Sequence, residues 1–130
     1  MNELESRDLP KSGTEFKYLS ERLSEFARDR DWDQFHSVRN LILALVGEAG
    51  ELAAEVQWVS DADVESFLAD PTKRSAIASE MADILNYLVR LADKLNVDLV
   101  EEALKKIDLN EDRYPAEKAR GSSAKYTAYE

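Results

Sequence analysis

The chain has no cysteine among its 130 residues. That excludes disulfides, zinc thiolate centres and cysteine nucleophiles. Histidine occurs once, at His36, so a di-metal oxidase bundle with Glu-x-x-His on two helices is excluded as well. Basic residues are in deficit: 17 Lys and Arg against 27 Asp and Glu leave a formal charge of -10 at pH 7. Such a surface argues against general binding to nucleic acid and against an anionic membrane. Long apolar runs are missing too. The longest, Leu41 to Val46, is far too short to span a bilayer, and the start, MNELESRDLPKSG, lacks the apolar core of a signal peptide. The expected setting is cytoplasmic. β-Branched residues are sparse, and no segment alternates apolar and polar residues as a half-buried strand does.

What remains is helical pattern. Hydrophobic residues make up 44% of the chain, enough for a globular domain of this length. Residues 1–13 contain Pro10 and Gly13 and read as a flexible arm. Thr14 is placed to cap a first helix carrying Phe16, Leu19, Leu23 and Phe26 at helical spacing, ending near Arg30. An aromatic turn, DWDQFH, follows at 31–36. The pattern predicts long helices from about Ser37 to Val59 and from about Thr72 to Asn96, joined by a connector that closes at Pro71. A shorter helix is predicted from Asp98, its cap, to Asp112, with Pro115 as the stop. Residues 14–115 thus read as one all-α domain with four main helices, and 116–130 as a flexible tail. Helices apolar on more than one side call for partner helices, from the same chain or another subunit.

Two acidic pairs stand out, Glu48-x-x-Glu51 and Glu80-x-x-Asp83. Acidic residues three apart are common in so acidic a chain; Glu5/Asp8, Asp98/Glu101 and Asp108/Glu111 are further examples. The central pairs differ in their surroundings. On a helical projection Glu48, Glu51 and Glu55 fall within an arc of about 60° that borders the stripe of Leu41, Leu45, Leu52 and Val59. Glu80, Asp83 and Tyr87 lie in the same way beside Ile77, Ile84 and Leu91. Carboxylates at the edge of an apolar face, with no Lys or Arg at i±4, are costly unless another cation pairs them. A hard divalent ion such as Mg²⁺ does so through oxygen ligands. Gly47 and Gly50 flank the first pair; inside a helix each costs about 1 kcal/mol relative to alanine, which suggests close approach by a backbone or a ligand, or a tight helix crossing.

These residues resemble a known family. GEAGEL followed by EMADILNYL is similar to the E-x-x-E…E-x-x-D signature of the MazG-like, all-α nucleoside triphosphate pyrophosphohydrolases. RDWDQFHSVRNLILALVGEAGELAAEVQW (30–58) and KKIDLNEDRYP (105–115) resemble the dCTP pyrophosphatase branch. The likeness covers about residues 16–115. It implies a four-helix MazG-like bundle assembling as a dimer or a tetramer (a dimer of dimers). It also implies cleavage between the α- and β-phosphates to a monophosphate and pyrophosphate, a step in cleansing the nucleotide pool, with dCTP or a modified dCTP as substrate. Glu48, Glu51, Glu80 and Asp83 match the family's Mg²⁺-binding acids, and Mn²⁺ is a possible substitute. Lys106, Asn110 and Tyr114 match residues that contact nucleotide, and Arg113 shares their helix face.

Other roles come from residue chemistry. Glu51 or Glu55 could accept the proton of the attacking water. A base needs a flat apolar slot with a few directed hydrogen bonds, for which Trp32, His36, Trp58 and Tyr87 are the candidates, with Asn40 as a polar contact. One position departs from the resemblance: Leu23 stands near where animal members of the branch carry a base-holding histidine, which puts strict cytosine preference in question. Hydrolysis of dUTP or phosphoribosyl-ATP at a similar acidic site, and a non-enzymatic acidic helical scaffold, remain open alternatives.

Overall fold

The computed structural model describes residues 14–129; the expected arm at 1–13 lies outside them. Thr14 is the N-cap residue of α1 (Glu15–Asp29), and its carbonyl accepts from the Tyr18 amide at 2.9 Å. The chain then reverses through Asp31, which takes a left-handed φ of 55°, into a single 3₁₀ turn at Asp33–Phe35. Ser37 opens α2 (Val38–Val56): its Oγ accepts from the Asn40 amide at 3.1 Å. The helix ends three residues before the expected Val59. Residues 60–70 hold one short helix, α3 (Val64–Leu68).

Asp70 caps α4 (Pro71–Leu95), accepting from the Thr72 amide at 2.9 Å. Pro71, expected to close the connector, is instead the first helical residue, where a missing N–H leaves no hydrogen bond unmade. Asn96, in left-handed conformation with φ 54°, ends α4, and its amide donates to the carbonyls of Ala92 and Asp93. Asp98 caps α5 (Leu99–Arg113) as expected, accepting from the Glu101 amide at 3.0 Å. Residues 116–129, expected as a tail, carry a short α6 (Ala116–Ala119) and a 3₁₀ turn at Tyr126–Ala128. Among the described residues there are six α-helices, four of them long, and no strand. The protein is all-α.

The chain divides into two compact units with the boundary at Asn96/Val97, inside the single domain expected for 14–115. In the first unit α4 is the central element, packing most extensively on α2 and also on α1 and α3. Its buried apolar residues are Ala27, Leu41, Val89 and Ala92, of which Leu41 is the largest and is 1% exposed. The expected stripe agrees: Leu45, Leu52, Val59, Ile77, Ile84 and Leu91 are all half-buried. Many large apolar side chains nevertheless stay exposed, including Ile42, Leu43 and Val46 on α2 and Met81 and Leu85 on α4. Among the described residues Gly47 and Gly50 show no close approach, because a Cβ added at either would meet nothing within 4 Å.

A core so small depends heavily on each member. Leu41→Ala is expected to lower unfolding stability by about 2–5 kcal/mol, read from the midpoint of a urea transition followed by circular dichroism. A loss below about 1 kcal/mol would show that Leu41 is not the anchor of the α2–α4 contact.

Candidate active site

The α2–α4 contact brings Glu48, from α2, to Glu80 and Asp83, from α4. One carboxylate oxygen from each lies within 4.8 Å of the others. Glu48 and Glu80 are half-buried, and the Oε2 atom of each is shielded from solvent with no hydrogen-bond partner. A shielded, unpaired carboxylate oxygen is costly, and two side by side repel. The chain responds by holding protons. Burial, a shared hydrogen bond with Glu80 and the nearby Glu51 and Asp83 carboxylates push the Glu48 carboxyl up to about 7. Burial raises Glu80 too, helped by the charges of Glu51 and Asp83 and opposed by its hydrogen bond with Glu48. Glu51 is exposed and stands outside the three-oxygen cluster, although its charge is felt at both neighbours. The donor set is all oxygen and all anionic, and it leaves two shielded oxygens unsatisfied; it fits a hard divalent cation such as Mg²⁺.

Further along α4, Arg90 organises a second group. It is 6% exposed and forms an ion pair with Asp33 in the 3₁₀ turn and another with Asp93 at 3.1 Å. Its Nη1 also donates to Ser24 Oγ on α1 at 3.1 Å, and its Nε donates to His36 Nδ1 at 3.2 Å. Trp32 stands edge-on to His36 with ring centres 6.3 Å apart, and Phe26 edge-on to Trp32 at 5.5 Å. Arg30 caps the row, 3.7 Å from the Phe26 ring centre. Burial, the Arg90 charge and more weakly Lys94 pull the His36 proton affinity below the ordinary imidazole value, against an opposing pull from Asp33. Sequence reasoning missed Arg90. The signal was present: an arginine inside Leu88-Val89-Arg90-Leu91-Ala92 must bring its own counter-charges into the core.

The remaining candidates fall in separate places. Asn40 uses its side chain to hold the aromatic turn, its Nδ2 donating to the Phe35 carbonyl at 3.1 Å. Tyr87 is half-buried on α4, beside the acids in register. Trp58 is 89% exposed and lines an open recess of about 320 Å³ with Val59, Asp63, Ser66, Phe67 and Lys73; among the described residues no other ring contacts it. Trp32 and His36 are thus in one aromatic row, and Trp58 is not part of it. In the second unit, Lys105 pairs with Glu101 at 2.9 Å, while Lys106 has no ion-pair partner among the described residues. Arg113 lies over the Tyr126 ring at 5.1 Å, and Tyr114 meets Tyr126 and Tyr129 edge-on at 5.8 and 5.9 Å. Asn110 offers its carbonyl to the Tyr114 amide at 2.7 Å.

The chain is all-helical, and carboxylates from two facing helices converge at one point as a candidate oxygen-ligand metal site. Residues 44–128 match the MazG-like family, and the chain belongs to it. Over 104 residues, 80% of the chain, it is 51% identical to dCTP pyrophosphatase 1 of Rattus norvegicus and 52% identical to that of Homo sapiens. The match spans 61% of each relative, so the chain covers about six tenths of their length. Among solved structures, a pyrophosphatase from Archaeoglobus fulgidus is similar with a TM-score of 0.70 and 31% identity, over 76% of this chain and 91% of that one.

The raised carboxyls make stability depend on pH in a definite direction. Between the ordinary glutamate value and about 7, the folded chain binds more protons at Glu48 than the unfolded chain does. Stability therefore falls as pH rises through that window. In chelator-treated protein the melting temperature is expected to drop between about pH 5 and about pH 8, and Glu48→Gln should flatten the dependence. Added Mg²⁺ should raise the melting temperature more at the higher pH, because ligand carboxylates must be deprotonated. An identical pH dependence in the parent chain and in Glu48→Gln would contradict the clustering, since the lowered proton affinity of His36 contributes the opposite slope equally to both.

Proposed function

We propose that this chain is a Mg²⁺-dependent nucleoside triphosphate pyrophosphohydrolase that cleaves dCTP or a modified dCTP to the monophosphate and pyrophosphate. The observation that carries the reading is the pair of shielded, unpartnered oxygens of Glu48 and Glu80 beside Asp83. Membership of the MazG-like family and the similarity to proteins named dCTP pyrophosphatase 1 support the substrate. In this reading Glu48, Glu80 and Asp83 hold the cation, with Glu51 completing the set. Bound there, Mg²⁺ offsets the carboxylate and triphosphate charges and polarises the phosphoryl group. Mn²⁺ is a possible substitute.

The chain's own groups do the rest. Glu51 or Glu55, on the same helix as Glu48 and outside the three-oxygen cluster, accepts the proton of the attacking water. Trp32, His36 and Tyr87 contribute to the base slot with Trp58, whose 89% exposure leaves its indole open to a ligand or a second copy. Asn40 supports the slot through its bond to the Phe35 carbonyl. Lys106, Asn110, Arg113 and Tyr114 serve the nucleotide's phosphates and sugar. The active form is a homo-oligomer, a dimer or tetramer, because the exposed Ile42, Leu43, Val46, Met81 and Leu85 are more apolar surface than one copy covers. The setting is cytoplasmic; among the described residues no helix is long and apolar enough to cross a membrane. Neither nucleic acid nor a membrane is a partner.

The decisive experiment is hydrolysis of a panel of natural and 5-substituted triphosphates with Mg²⁺ in ¹⁸O water. The expected products are monophosphate and pyrophosphate, with label in one of these and none in orthophosphate. Label in orthophosphate alone would overturn the reading, and preference for dUTP or phosphoribosyl-ATP would redirect it. Glu48→Gln, Glu51→Gln, Glu80→Gln and Asp83→Asn should each lower turnover by about 100-fold or more while leaving the chain folded. Trp58→Ala should reduce kcat/KM by roughly 5- to 150-fold, the worth of one base–aromatic stack, without changing Mg²⁺ affinity.

A further inference from the structure

Arg90 has every guanidinium nitrogen engaged. Nη2 meets Asp33, Nη1 meets Ser24 Oγ and Asp93 Oδ2, and Nε donates to His36 Nδ1. Ser24 Oγ in turn donates to Asp93 Oδ2 at 3.1 Å, so the guanidinium is fixed from three elements at once. A guanidinium does not lose its proton in a protein, and its Nε carries a single N–H in the plane of the group. His36 Nδ1 must therefore be the acceptor, which leaves the ring proton on Nε2. Protonating the ring would set an Nδ1–H against the Arg90 Nε–H, and Lys94 adds to that opposition while Asp33 counters it. Trp32 limits the ring from the side.

We infer that Arg90 is a positioning residue that locks His36 in the Nε2–H tautomer, making it a fixed hydrogen-bond donor to an acceptor atom of the nucleotide. That atom is a ring nitrogen or carbonyl of the base, or a phosphate oxygen. The nucleotide half of the inference rests on the proposed function; the tautomer half does not. The chemistry suits cytosine, whose N3 is an acceptor, where uracil and thymine present an N3–H. A neutral imidazole held in this way is a reader of acceptors and does not shuttle protons through Nδ1.

Because His36 is the single histidine of the chain, its imidazole nitrogens can be read without assignment. A long-range ¹H–¹⁵N spectrum of the labelled full chain near neutral pH should show Nδ1 unprotonated and Nε2 protonated. An Nδ1–H tautomer, an averaged mixture or an imidazolium would overturn the lock. Arg90→Lys keeps a buried cation for Asp33 and Asp93 but removes the Nε–H. It should average the two tautomers and raise KM for dCTP by about 5- to 100-fold, the cost of a misdirected buried donor, with little change in kcat.

If Arg90→Lys does not fold, His36→Gln and His36→Asn decide the matter. The glutamine amide reaches the place of Nε2 and the asparagine amide that of Nδ1, so glutamine should retain more activity. Equal loss in both, or no loss in either, would overturn the donor role and leave the hydrolase standing. A loss larger for dCTP than for dUTP supports cytosine N3 as the acceptor, and an equal loss supports an oxygen common to both, the base O2 carbonyl or a phosphate oxygen. If the parent chain hydrolyses no triphosphate, the nucleotide half falls with the proposed function, and the nitrogen spectrum alone decides the lock.

Discussion

Arg90 carries a full charge into a helix face otherwise made of Leu88, Val89, Leu91 and Ala92, and the first unit is arranged around neutralising it. Asp93 comes from the next turn of the same helix, Ser24 from α1, and Asp33 and His36 from the turn between α1 and α2. Breaking one buried partner of such a group leaves an uncompensated charge, which is far worse than never having built the pair. The guanidinium thus fixes the approach of α1 to α4 and the path of the aromatic turn together. The row Phe26, Trp32, His36 takes its geometry from that turn, and Asn40 holds it from the α2 side through Phe35.

The same helix solves the opposite problem two turns earlier. Asp83 and Arg90 are seven residues apart, about 10 Å along the axis, and share one side of α4 with Glu80 and Tyr87. Around Arg90 the counter-charges are supplied by the chain; around Glu80 they are not. The Oε2 atoms of Glu48 and Glu80 stay shielded with no hydrogen-bond partner among the described residues. The asymmetry has a physical meaning: a site that is to take a cation from solution must leave the cation's place uncompensated. A site that is to hold a shape fills every valence.

The helical periods, the cap at Asp98, and the positions of the acids at the border of the apolar stripes were legible in the sequence, because each depends on residues within a turn or two of one another. The convergence of Glu48 on Glu80 and Asp83 depends on α2 packing against α4, a pairing that neither helix's own period specifies. Glu51 lies outside the three-oxygen cluster although its i,i+3 offset from Glu48 is the one that Asp83 has from Glu80, so the spacing that reveals a pair does not say which of its members converge. Arg90 stands out locally as an arginine in an apolar run with Asp93 at i+3, but its partners Ser24, Asp33 and His36 are more than fifty residues away, so the group that gathers around it was not legible. Gly47 and Gly50 were read as marks of close approach; the open space beside them shows that a costly residue need not have a neighbour within its own chain. The tyrosines of the C-terminal segment were read as tail, and their edge-on meetings with Tyr114 depend on aromatic contacts that no period predicts.

Together the acid cluster and the Arg90 group exchange the usual roles of two side chains. Imidazole is the group expected to change charge near neutrality, yet here burial and Arg90 lower its proton affinity, while a glutamate is raised to about 7. The carboxyl group raised toward neutrality stands at the point where a cation fits. On the proposed function, a divalent ion entering that cluster would displace a proton into the medium. The heat of its binding then contains the ionisation enthalpy of whatever buffer receives that proton, and so varies with the buffer chosen at a fixed pH.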